Sequence, residues 1–105
     1  MAKPARQLTL AVETLLQFNG WLVWKNGASA LRIGDRFVRT GTAGVPDLMA
    51  CRGGQLLCVE IKAGKDRLSA AQSDWLLKAK QHGAIVIVAH HIEDVSTYLE
   101  SDKTK

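Results

Sequence analysis

Apolar residues early in the chain recur at helical spacing: Leu8, Ala11, Val12, Leu15 and Leu16. That period predicts a helix that opens at Pro4, where a missing amide costs nothing, and stops at Gly20. Residues 21–24 are a short apolar run behind the glycine and read as a first strand, and Lys25-Asn26-Gly27 reads as a turn. From 28 to 44 no period is clear, although residues 36–39 fit a strand with alternating arginines. Two strongly apolar runs follow, 48–51 and 56–61, on either side of Gly53-Gly54. A glycine pair between such runs predicts a tight hairpin, because primed turns need positive φ. Ser69-Ala70-Ala71-Gln72 is a capping box and opens a second helix, with Gln72, Trp75, Leu76 and Ala79 on its sheet-facing side and His82-Gly83 at its end. Residues 84–89 form another apolar strand. It follows the hairpin's second strand through a helix, so it is expected to run parallel to it. A short helix over 92–99 and a frayed tail complete the chain.

The hairpin register can be written down. With Gly53 and Gly54 as loop, Arg52 faces Gln55, 51 faces 56, 49 faces 58 and 47 faces 60. Leu48, Ala50, Leu57, Val59 and Ile61 then share one face, and Asp47, Met49, Cys51, Leu56, Cys58 and Glu60 the other. Strands apolar on both faces are normally covered on both sides by helices. The acids fall where the sheet should emerge from that cover.

At 105 residues the chain is expected to be a single domain, residues 1–105, able to build a core without cross-links. It has no apolar run long enough for a membrane span, and no signal peptide opens it. Cys51 and Cys58 are not cross-strand neighbours in this register and read as reduced and buried, which fits a cytoplasmic protein. A net charge of +4 favours a polyanionic partner without naming it. His82, His90 and His91 read as surface residues, although a metal site at the 90–91 pair is an alternative.

The hairpin sets Asp47 across from Glu60. Residues in that relation have Cβ atoms about 5 Å apart, and like charges there are destabilising. A shared proton or a cation resolves the conflict. Lys62, two residues beyond Glu60, points to the same face. Hard oxygen ligands grouped this way suit Mg²⁺. The plainer alternative is a solvated cluster in which Lys62 screens the pair. Arg32, Arg36 and Arg39 ahead of the glycine-bearing loop, and Lys65 and Arg67 after Lys62, have the chemistry of phosphate contacts; the plainer alternative is simple solvation.

Pro46-Asp47 followed by Glu60-Ile61-Lys62 is the PD-(D/E)xK pattern of metal-dependent nucleases. With Gly41 and Gly44 before it and Ser69-x-x-Gln72 after it, the chain resembles the VRR-NUC family. The resemblance implies an α/β fold with a restriction-endonuclease-like core: a central mixed β-sheet flanked by helices, in the order α-β-β-β-α-β-α. It implies that Asp47, Glu60 and the backbone carbonyl of Ile61 bind Mg²⁺, with Mn²⁺ able to substitute. Glu13, the one acidic residue of the first helix, would join them directly or through water. Lys62 would orient or deprotonate the attacking water or stabilise charge on the phosphate, and Gln72 would belong to the active site. Stand-alone members of the family look like homodimers that resolve four-way DNA junctions. The implied protein is a DNA endonuclease in a bacterial or phage setting, with no membrane and no small-molecule substrate. Flap-, nick- or duplex-directed cleavage and a non-catalytic DNA-binding module are the alternatives.

Overall fold

The computed structural model describes residues 4–26, 30–39 and 43–103, with side chains described for all of these except 30–33, 37–39, 102 and 103. Helix α1 (Pro4–Phe18) leads into strand β1 (Leu22–Lys25), then β2 (Ala30–Ile33) and β3 (Arg36–Arg39). The central hairpin is β4 (Leu48–Arg52) and β5 (Gln55–Ile61), followed by α2 (Ala70–Gln81), β6 (Ile85–Ala89) and α3 (Ile92–Lys103). The main sheet has the order β1-β4-β5-β6, and β2 and β3 form a separate two-stranded arm. With the arm set aside, the core keeps the expected order α-β-β-β-α-β-α.

The central register is the one the double glycine dictates: Arg52 pairs with Gln55, Cys51 with Leu56, Met49 with Cys58 and Leu48 with Val59. Gly53 and Gly54 have φ of 57° and 81°. Positive φ at both loop residues is the mark of a type I′ turn, whose twist matches that of the flanking strands. β1 joins β4 antiparallel, and β6 joins β5 parallel, with Glu60 beside Val88 and Ile61 beside Ala89.

The core lies on one side of this sheet. Leu48, Ala50, Leu57, Val59 and Ile61 pack there against Val12 and Leu16 of α1 and Val95 and Leu99 of α3. Val12 and Leu16 lie one turn apart and are fully buried. Each such side chain contributes about 1.5–3 kcal/mol of transfer free energy. Arg52 ties the end of α1 to β4, stacking over Trp21 and donating to the Asn19 carbonyl at 2.9 Å.

The structure departs from the sequence expectations in four places. Residues 30–33, read as irregular, are strand β2, paired with β3 around Gly34-Asp35. α3 runs on to Lys103, so the expected frayed tail begins no earlier than Thr104, outside the described residues. Cys51 is only half-buried, while Cys58 is fully buried; both are free thiols. Finally, the second face of the sheet is only partly covered. α2 packs over β6 and, among the described residues, makes at most slight contact with β1 and β4 on that side. Cover on this face needs apolar residues, and α2 supplies few: Leu76 is its one buried residue. No described helix is long and apolar enough to cross a membrane.

Candidate active site

β5 is the most deeply buried strand, and an acid stands in its buried run. Glu60 is 1 % exposed. Burying a carboxylate is costly unless it is paired or protonated. Its neighbours are those expected. Asp47 stands beside it, and Lys62 Nζ lies 3.9 Å from Oε1. Gln72 Nε2 donates to the same Oε1 at 3.3 Å. Burial first, then the hydrogen bond and charge of Asp47, push the Glu60 carboxyl up to about 8, against a weaker downward pull from Lys62 and the Asp47 backbone. The other oxygen, Oε2, is buried with no hydrogen-bond partner.

Asp47 is fixed by its surroundings more than by its own strand. Its Oδ2 accepts the Ile61 amide at 2.8 Å. Its carbonyl accepts the Asn26 amide at 3.0 Å, and the Asn26 side-chain amide donates to the Pro46 carbonyl at 3.0 Å. Asn26, at the end of β1, thus clamps both peptides of the Pro-Asp step. Sequence reasoning read it only as a turn residue; the signal available was a hydrogen-bonding side chain just after a strand.

Gln72 does two jobs. Its Oε1 accepts the Ser69 amide at 2.9 Å, its own amide donates to Ser69 Oγ at 3.1 Å, and its Nε2 reaches Glu60. The amide has an acceptor end and a donor end, so the capping box and the acid contact do not compete. Gly44 brings the Asp47 loop against this helix start. Its φ is 86°, and a Cβ there would collide with the Ala71 carbonyl and press on the Gln72 amide. Only glycine permits that approach.

The remaining predicted residues are more scattered. Glu13 faces Lys25, 3.9 Å away, and Lys25 pairs with Leu48, which packs on the α1 side of the sheet. Glu13 is therefore not grouped with Asp47 and Glu60, and no three His, Cys, Asp or Glu side chains form a metal cage among the described residues. Lys65 and Arg67 are exposed on the loop after Lys62, and Arg36 is exposed at the turn of the β2–β3 arm. Arg32 and Arg39 lie on the arm's strands, and their side chains are outside the described set. Gly41 also lies outside it. The amides of His90 and His91 bind the Asp94 carboxylate at 2.8 and 3.1 Å, which holds that carboxyl below its usual range and caps α3.

Two carboxylates, an ammonium and an amide at one end of a buried hairpin, on a mixed sheet between helices, define a restriction-endonuclease-like core. A solved structure described as a VRR_NUC domain superposes with a TM-score of 0.70 at 22% identity, covering 94% of this chain and 97% of the other. Hjc, a Holliday junction resolvase from Archaeoglobus fulgidus, superposes with a TM-score of 0.57 at 22% identity, covering 80% of this chain and 65% of that one. None of the curated proteins matches the sequence. The family model of the VRR-NUC domain matches residues 7–91, and the chain belongs to that family of nucleases.

Proposed function

We propose that the protein is an Mg²⁺-dependent DNA endonuclease that cuts branched DNA, four-way junctions foremost, as a homodimer. The observation that carries the reading is the buried Glu60 carboxyl beside Asp47, with one oxygen lacking any partner. Such an oxygen is costly in a finished site and suits a divalent ion. Asp47 and Glu60 would hold that ion. The Ile61 carbonyl fits as a third ligand. A strand residue sends its amide and carbonyl to the same edge; the Ile61 amide goes to Asp47, past the start of β4. Mn²⁺ has the same preference for oxygen ligands. When bound, the ion would neutralise phosphate charge and make water a better nucleophile.

The chain's own groups do the rest. Lys62, 16 % exposed and 3.9 Å from Glu60, would offset negative charge gathering on the phosphate and donate a hydrogen bond to the attacking water. Gln72 keeps Glu60 aimed. Glu13, whose contact is with Lys25, would take part through water. Lys65 and Arg67, and Arg32, Arg36 and Arg39 on the arm, meet phosphates on either side of the cut.

The similar Archaeoglobus protein is a Holliday junction resolvase, and a two-fold dimer matches a two-fold junction. The surface for it is the groove between α1 and α3, where Phe18 is 90 % exposed beside Leu10, Leu15 and Ile92. The deciding experiment compares four-way junction, flap and linear duplex, with and without Mg²⁺, for wild type and for Asp47→Ala, Glu60→Ala and Lys62→Ala. Metal-dependent junction cutting that all three variants lose is expected; wild-type rates in the three variants would remove the assignment. Phe18→Glu should sediment as a monomer.

A further inference from the structure

We infer that Trp24 is a stacking platform for an unpaired nucleobase next to the phosphate being cut, an inference that rests on the nuclease reading above. Trp24 pairs with Met49 across β1 and β4, and Met49 pairs with Cys58 across β4 and β5. Cross-strand partners point to the same side of a sheet, so Trp24 lies on the face of Asp47 and Glu60. Asp47 precedes Met49 by two residues, which makes it the diagonal neighbour of Trp24, about 7–8 Å away and within an aromatic side chain's reach.

This is the half of the face that α2 leaves open. The indole is 41 % exposed and Leu22, two residues before it, is 70 % exposed, while Met49 and Cys51 lie half-buried at their side. Contiguous exposed apolar surface on an edge strand is an aggregation hazard and usually marks a binding surface. Its position decides the occupant. A second protein copy seated on this strip would close over the acid pair one residue away and shut out the substrate. The exposed apolar side chains of α1 belong to the opposite face, so a dimer formed there leaves this strip free.

A strand whose phosphate lies at Asp47 and Glu60 and that runs on towards β1 passes over this surface. Any base presents a flat π face to tryptophan, so stacking tolerates every sequence. Bases inside a duplex already stack on each other. Only a base released at a branch, nick or end has a face to offer. Trp24 would therefore discriminate by structure, favouring nucleotides left unstacked beside the cut, at a branch point or in a flap, over continuous duplex.

The test uses Trp24→Phe, which keeps a ring, and Trp24→Leu, which keeps an apolar side chain without one. Substrates carry 2-aminopurine at one unpaired position beside the cut, or the same sequence fully paired. In EDTA, wild type should quench the unpaired probe. Trp24→Leu should bind it about 5- to 150-fold more weakly, the range alanine substitution gives for base stacking. In Mg²⁺ the loss should fall on KM for the unpaired substrate and leave kcat and the paired substrate unchanged; Trp24→Phe should restore most of it. Wild-type binding and KM in Trp24→Leu would overturn the platform, even with Asp47→Ala inactive, and the nuclease reading would survive. Conversion of a dimer to a monomer by Trp24→Leu would also overturn it in favour of a second copy on this face. Trp24-dependent quenching by a wild type that cuts nothing would sustain the platform and sink the nuclease reading instead.

Discussion

Replacing Glu60 by glutamine should stabilise the metal-free protein at neutral pH while abolishing cleavage. The Glu60 carboxyl stands at about 8 in the fold against 4.5 for a free side chain. Because the folded form holds its proton more tightly, this group's contribution is complete below about 4.5 and is lost as pH rises through about 8. At pH 7 the unfolded chain is ionised and the native site still protonated. At about 1.36 kcal/mol per pH unit, roughly 3 kcal/mol has gone by then. That is a large part of a small domain's total stability. Glutamine cannot ionise, so the variant should lack this slope. Asp94 has the opposite sign: the amides of His90 and His91 lower its carboxyl, so its contribution is lost only as pH falls into the acid range, below the window in question. Mg²⁺ should restore stability to wild type, more strongly as pH rises, because binding displaces the proton. Urea denaturation in EDTA near pH 5, 7 and 8.5, repeated with Mg²⁺, measures all of this. Wild type as stable near pH 8.5 as near pH 5, or an unchanged slope in Glu60→Gln, would refute the reasoning.

Ser69→Ala and Gln72→Ala should each lose about 1 kcal/mol of stability through the capping box. Only Gln72→Ala should also lose about 10- to 100-fold in cleavage or metal affinity, as expected when a ligand's supporting group goes; equal activities would reduce Gln72 to a cap. Gly44→Ala should cost about 2–4 kcal/mol in chemical denaturation, since it adds an unfavourable positive φ to a collision with the Ala71 carbonyl. Arg36→Ala should weaken DNA binding evenly across sequences and lower the salt dependence by about one counterion; an unchanged slope in a salt titration would take the arm's turn off the phosphates.

The central hairpin was legible because its determinants are local. Gly53-Gly54 sets the turn, and the turn sets a register that runs on to Leu48 opposite Val59 and leaves Asp47 beside Glu60. Of the arm, Arg36–Arg39 was read as a strand and its partner Ala30–Ile33 was missed. Its four residues show no clear alternation in the sequence, and the Gly34-Asp35 turn signal was the clue passed over. Asn26 was missed because its partners, Pro46 and Asp47, are some twenty positions away. Glu13 shows the reverse limit. Being the one acid on α1 made it a candidate ligand, but the structure sets it by Lys25, 3.9 Å away, and does not group it with the acids.

By itself, the chain's order of residues settled what short-range rules can settle: the helix periods, the double-glycine turn, and hence which side chains of β4 and β5 meet. Tertiary structure decided what depends on neighbours distant in sequence. It buried Glu60 until its carboxyl kept a proton, wedged Gly44 against α2 so that Gln72 could serve cap and acid together, and left β1 uncovered so that Trp24 stands open beside the acids. Periodicity says which face a residue takes. Only packed elements decide whether that face is dry, shared or free.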